Sequence, residues 1–171
     1  MFIIALGFLF LSVCKISAQE INPDLLKNNW RAFWITVPGT NPKEYGVYNF
    51  RKNFELKKVP GKFIVHVSGD NRYKLFVNEK LVSIGPARGD LYHWNFATIN
   101  IAPYLNSGKN TLAAIVWNDG EHKASAQITS RTGFILQGDG LEESIVNSNK
   151  SWKGVQDKSY APTKKGAIGF F

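Results

Sequence analysis

Residues Lys62–Gly85 read KFIVHVSGDNRYKLFVNEKLVSIG. Phe63, Val65 and Val67 alternate with His66 and Ser68, the two-residue period of a strand. Gly69-Asp70-Asn71 is a turn tripeptide, because Gly, Asp and Asn tolerate the tight backbone conformations of turns. Arg72 to Val77 resumes as a strand, Asn78-Glu79-Lys80 forms a tight hairpin tip, and Leu81 to Ile84 returns. Two strands, a turn, a hairpin and a third strand within so few residues set the class as all-β.

The same grammar extends in both directions. Upstream, Ala32 to Val37 and Tyr45 to Leu56 read as strands, and only Asn22 to Asn29 looks helical. Downstream, Thr98 to Ile101 alternates, and one helical turn is expected at Ala102 to Leu105 before the Asn106–Asn110 loop cluster. Thr111 to Trp117 is apolar on both faces and is expected to be a central strand covered on both sides. Ala126 to Gln137, Leu141 to Val146 and Ser151 to Lys153 complete the set of expected strands. Many short strands separated by turn clusters, with no repeat or linker, argue for a single β-sandwich.

Composition agrees. The chain has 171 residues, 44% of them hydrophobic and 20% charged, enough apolar matter for a real core. Five Trp, six Tyr and twelve Phe against one Met favour a β-rich fold with aromatic surfaces over a helical bundle. Phe2 to Cys14 is an apolar run too short to span a bilayer, and Ser17-Ala18 follows as a small-residue cleavage site. The organisation expected is a signal peptide over residues 1–18 and a sandwich over residues 19–171, in an exported protein, periplasmic or extracellular, with no membrane span after signal removal. Val13 is too large for the lipobox position before Cys14. Cys14 is the only cysteine, so the mature chain has neither disulfide nor thiol chemistry. The net charge of +8 is spread over scattered Lys residues without a nucleic-acid motif, which reads as a solvated surface and not a nucleic-acid binder. Gly166-Ala167-Ile168-Gly169-Phe170-Phe171 is apolar and strand-like to its last residue, the pattern of a chain cut short.

Little in the sequence points to catalysis. Asp70, Asp90, Asp119 and Glu121 lie in turns near strand ends, where carboxylates commonly serve solubility alone. His66 and Ser68 share a strand face but lack a third member, and a solvent-facing pair is expected. Three scattered His and no cysteine in the mature chain argue against a zinc cluster. Calcium would need the fold to gather Asp70, Asn71, Asp90, Asn118 and Asp119, and no motif supports it, so no cofactor is expected. A binding function has more support. Aromatic faces and planar polar groups hold saccharides, and Asp70-Asn71-Arg72, then Arg88 and Asp90 with His93-Trp94, then Asn118 after Trp117 supply both kinds. The stretch SIGPARGDLYHW (Ser83–Trp94) also reads as a rigid corner. There Gly85-Pro86 redirects the chain, Arg88 and Asp90 pair across a turn at Gly89, and Trp94 buries its ring while its N–H seeks an acceptor.

The run from Val67 to Gly140 resembles the N-terminal β-sandwich of bacterial α-L-rhamnosidases of glycoside hydrolase family 78. The residues that carry this are VSGDNRYKLFVNEKLVSIGPARGD, HW, L-x-x-G-x-N at Leu105–Asn110 and FILQGDG, together with WRAFWI at Trp30 and YGVYNFRK at Tyr45. Trp152-Lys153 and the final Gly169-Phe170-Phe171 fit the same pattern. The resemblance implies a galactose-binding-like β-sandwich (jelly roll) and a parent enzyme whose catalytic acids lie in a downstream barrel. The partners it implies are that catalytic domain and a rhamnose-containing polysaccharide or oligosaccharide. Three functions stay open: a non-catalytic sugar-binding module, a scaffold packed on the barrel, or a hydrolase only by inheritance from the full-length parent. Glu79 stands where such VNG hairpins carry Gly, so the tip either adopts another turn type or loses a little stability.

Overall fold

The structure, a computed structural model, describes residues 22–124 and 126–162. The expected signal peptide and the terminal Gly166–Phe171 stretch lie outside the described residues.

Among the described residues, eight strands form two antiparallel sheets. They are β1 (Gly46–Leu56), β2 (Ile64–Asp70), β3 (Arg72–Val77), β4 (Lys80–Gly85), β5 (Ala97–Asn100), β6 (Gly108–Asn118), β7 (Gly133–Gly138) and β8 (Lys153–Asp157). One sheet runs β4-β3-β6-β1-β8 and the other β5-β2-β7. Inward residues of both sheets interdigitate, as in any sandwich. The Phe134 ring stacks on Phe50 at 5.8 Å and contacts Trp152 at 5.4 Å and Tyr73 at 6.4 Å. Leu75, Leu112, Val116, Val65 and Leu136 belong to the same core.

The hairpin and loop motifs lock each other. Asn78 and Glu79 take φ 46° and 70°, so Glu79 keeps the left-handed geometry that Gly adopts without strain. The Asn78 side chain donates to Tyr104 O and Asn110 Oδ1, both at 2.8 Å, and its Oδ1 accepts the Thr111 N–H. Asn110 is buried and donates to the carbonyls of Asn106 and Gly108 while its Oδ1 accepts the Asn106 N–H. Gly108 sits at φ 86°, which lets the chain turn back under Asn110. The spacing in L-x-x-G-x-N follows from this geometry.

Several expectations are corrected. Ala32 to Val37 is no strand: only Ile35 bridges Phe134, while Phe33 and Trp34 face solvent. Residues 126–132 form a loop, because side chains satisfy its backbone. Asp70 accepts the N–H groups of Ser130 and Arg131, and Asn71 donates to Ile128 O. Leu141 to Val146 contains a 3₁₀ turn, Glu143–Val146, because Glu143 Oε2 accepts the Gly140 N–H and Ser144 Oγ donates to Leu141 O. The expected strand at Ser151 to Lys153 begins later, as β8. The β6 strand is central but not covered on both sides: its burial alternates, with Ala113, Ile115 and Trp117 on the open face. The strands buried on both faces are β2 and β7. His66 and Ser68 are accordingly buried, not solvent-facing. Trp30 and Phe96 pack edge-on against the His66 imidazole, which hydrogen-bonds Thr98 Oγ1 and Asp139 Oδ1. Burial lowers the His66 pKa, against the pull of Asp139 and Glu143.

Candidate functional site

Asp70 ends β2 and pairs with Gly133, the first residue of β7. Past this end of the small sheet lies a cleft of about 480 Å³. Its walls are Trp34, Ile35 and Thr36 of the bridged loop, Pro42, Trp94, and Ser130 to Gly133. Trp34 and Trp94 meet edge to face, 6.4 Å between centroids at 86°. A Cβ on Gly133 would lie 2.9 Å from Trp34 Cε3, so glycine lets that indole lie against the strand. A cleft of this size with aromatic walls and a few fixed polar groups is the usual form of a small-ligand site.

Asp70 is 3% exposed. Its Oδ2 accepts the Ser130 N–H at 2.7 Å and the Arg131 N–H at 2.8 Å. No donor reaches its Oδ1 with hydrogen-bond geometry. Burial raises the Asp70 pKa, opposed by the Thr129 hydroxyl and the two backbone N–H groups. Trp94 Nε1 and Thr132 Oγ1 are likewise buried without a partner.

Of the residues singled out in the sequence, Asp70 and Trp94 meet in this cleft. Asn71 and Arg88 flank Trp94 in a second depression of about 10 Å³, room for about one water. Asn71 N donates to Trp117 O, and Asn71 Oδ1 is buried without a partner. Arg72 is half-buried at the start of β3 opposite Trp117, and its charge acts on Asp119. Asn118 is a strut: its Oδ1 accepts the Gly120 N–H and its Nδ2 donates to Thr129 Oγ1.

The corner forms, but not through the expected pair. Asp90 pairs with His93 Nδ1 at 2.8 Å rather than with Arg88, and it also accepts the N–H groups of Tyr92 and His93. The two carboxylate-binding partners lie in the turn itself, whereas exposed Arg88 contributes only its carbonyl, to Asn95 Nδ2. The hydrogen bond from His93 holds the exposed Asp90 carboxyl below its ordinary pKa. Trp94 does bury its N–H, yet finds no acceptor. The residues that sequence reasoning missed are Trp34, Arg131 and Thr132. The polar run Ser130-Arg131-Thr132 interrupting an apolar pattern was their available signal.

No group of three or more His, Cys, Asp or Glu able to hold a metal occurs among the described residues. No helix among them is long and apolar enough to cross a membrane.

No protein-family model matches the sequence, and no curated protein matches it. Solved structures do. The family 78 rhamnosidase of Bacillus sp. GL1 superposes with a TM-score of 0.67 at 25% identity, over 75% of this chain and 14% of that one. The α-L-rhamnosidase from Dictyoglumus thermophilum gives 0.59 at 21% identity, over 74% of this chain and 17% of that one. The apo lectin of Pleurotus ostreatus gives 0.50 at 22% identity, over 81% of this chain and 39% of that one. The chain therefore spans under a fifth of the length of the rhamnosidases it matches. It is a β-sandwich built like a domain that α-L-rhamnosidases of glycoside hydrolase family 78 contain.

Proposed function

We propose that this chain is a carbohydrate-binding accessory domain of an exported α-L-rhamnosidase, and that it holds rhamnose-containing glycan while a downstream catalytic domain cleaves it. The observation that carries this is the cleft at the end of β2, lined by two indoles in edge-to-face contact and by Asp70, whose buried Oδ1 has no hydrogen-bond partner. Aromatic walls offer a sugar's C–H face an apolar surface, and fixed polar groups orient its hydroxyls. The fold of family 78 rhamnosidases supports the choice of glycan. Calorimetric titration of the whole chain with rhamno-oligosaccharides tests it. Saturable binding that Trp34→Ala abolishes supports a glycan module, and absence of binding at millimolar sugar refutes it.

One observation favours a scaffold that packs on the catalytic domain. Leu26, Phe33 and Leu141 are 72%, 68% and 81% exposed, apolar side chains that a packed neighbouring domain would cover. Polar substitution of all three would then weaken association with the rest of the enzyme and leave sugar binding unchanged.

A further inference from the structure

Asp70 Oδ1, Trp94 Nε1 and Thr132 Oγ1 are buried without hydrogen-bond partners, and their three residues line one cleft. A buried polar group left unpaired costs about 1–3 kcal/mol. Three around a single cavity define what a complementary ligand must carry. An ionised carboxylate only accepts, an indole N–H only donates, and a hydroxyl does either. The ligand must donate at one point and accept at another. Two neighbouring hydroxyls do both: one donates to Asp70 Oδ1 and the other accepts from Trp94 Nε1, with Thr132 free to meet either. A carboxylate or sulfate group only accepts, and it would meet the Asp70 carboxylate as a like charge. No ion pair offsets Asp70 among the described residues. An ammonium group suits Asp70 but leaves the indole unmet.

We propose that the cleft takes a neutral sugar through a vicinal diol, with Asp70 as the acceptor that excludes acidic sugars. This rests on the glycan-binding function proposed above and narrows it to a charge and a hydroxyl pattern. Both key atoms are shielded from water. A diol meets them only as the cleft wall shifts locally, with the Trp94 indole staying in place as the donor. The exposed Arg131 at the rim is the feature that opposes this assignment, since its cation would attract a uronate.

The test sets the two groups against each other. The full chain is titrated with methyl α-L-rhamnoside and with methyl α-D-galacturonoside, and the same is done for Asp70→Asn and Trp94→Phe. The Asn amide still offers an oxygen to the Ser130 and Arg131 N–H groups, so the loop stays tied. The expected result is at least about tenfold tighter binding of the neutral glycoside. Asp70→Asn should lower that affinity about tenfold, and Trp94→Phe should lower it severalfold. Tighter binding of the uronate, or an Asp70→Asn variant that keeps the neutral sugar at parental affinity, overturns the assignment while leaving glycan binding intact. Binding of neither sugar overturns both.

Discussion

Replacing Asn110 with Ala tests the joint between hairpin and loop. Its side chain makes four hydrogen bonds in a 1%-exposed position: to the carbonyls of Asn106 and Gly108, from the Asn106 N–H, and from Asn78 Nδ2. A net contribution of about 0.5–1.5 kcal/mol per bond brings the loss to about 3 kcal/mol, tempered because Asn78 keeps its bond to Tyr104 O. For a domain of this size about 2–4 °C of melting temperature goes with each kcal/mol, so the variant is expected to melt about 6–12 °C lower. Asn106→Ala is the control. Asn106 is exposed and contributes only backbone groups to the joint, so its variant is expected within about 0.5 kcal/mol of the parent. Thermal melts followed by near-ultraviolet circular dichroism measure both. An Asn110→Ala shift under about 2 °C, or an equal shift in the control, would refute the assignment of this joint to the Asn110 side chain.

Glu79→Gly relieves a side chain held at φ 70°, offset in part by glycine's greater unfolded-state entropy, and is expected to stabilise by about 0.5–1 kcal/mol in urea unfolding. Gly133→Ala places a Cβ against Trp34 and is expected to abolish sugar binding while the far-ultraviolet spectrum stays parental. His66 is held neutral by burial, its pKa lowered from 6.5, whereas the unfolded chain takes up the proton. Stability is therefore full above the ordinary His value and is lost as pH falls through the depressed folded value. Urea midpoints are expected to drop from pH 7.5 to pH 5 in the parent and to drop less in His66→Gln.

The hairpin Arg72–Val77 with its return strand was legible because a strand run and a turn-forming tip at Asn78-Glu79-Lys80 are local signals; the structure narrows the tip to Asn78-Glu79. Asp70 and Trp94 stood out in the sequence as candidate site residues because carboxylates and indoles in turns are conspicuous, and the fold brings both to one cleft. Trp34 did not: it lies in the largely apolar run Ala32–Val37, which reads as a strand, and only the single Ile35–Phe134 bridge shows that the segment is a loop. Residues 126–132 read as strand because nothing local reveals that Asp70, sixty residues earlier, takes their N–H groups. The burial of His66 was hidden for the same reason. A β2 strand covered on its outer side by Trp30 and Phe96 depends on segments far away in sequence. Arg88 and Asp90 were expected to pair on proximity and charge alone, but the turn closes on His93.

The most direct test of the central claim is the indole N–H resonance of Trp94 in a ¹⁵N-labelled chain, assigned by comparison with Trp94→Phe, during titration with methyl α-L-rhamnoside. A saturable shift of that resonance, accompanied by Trp34 and with Trp117 on the open sheet face unmoved, is the expected result. Sugar-dependent shifts confined to Trp117, or no shift of any indole up to tens of millimolar, on the order of the weakest affinities a specific site sustains, would contradict the assignment of the cleft as a sugar site.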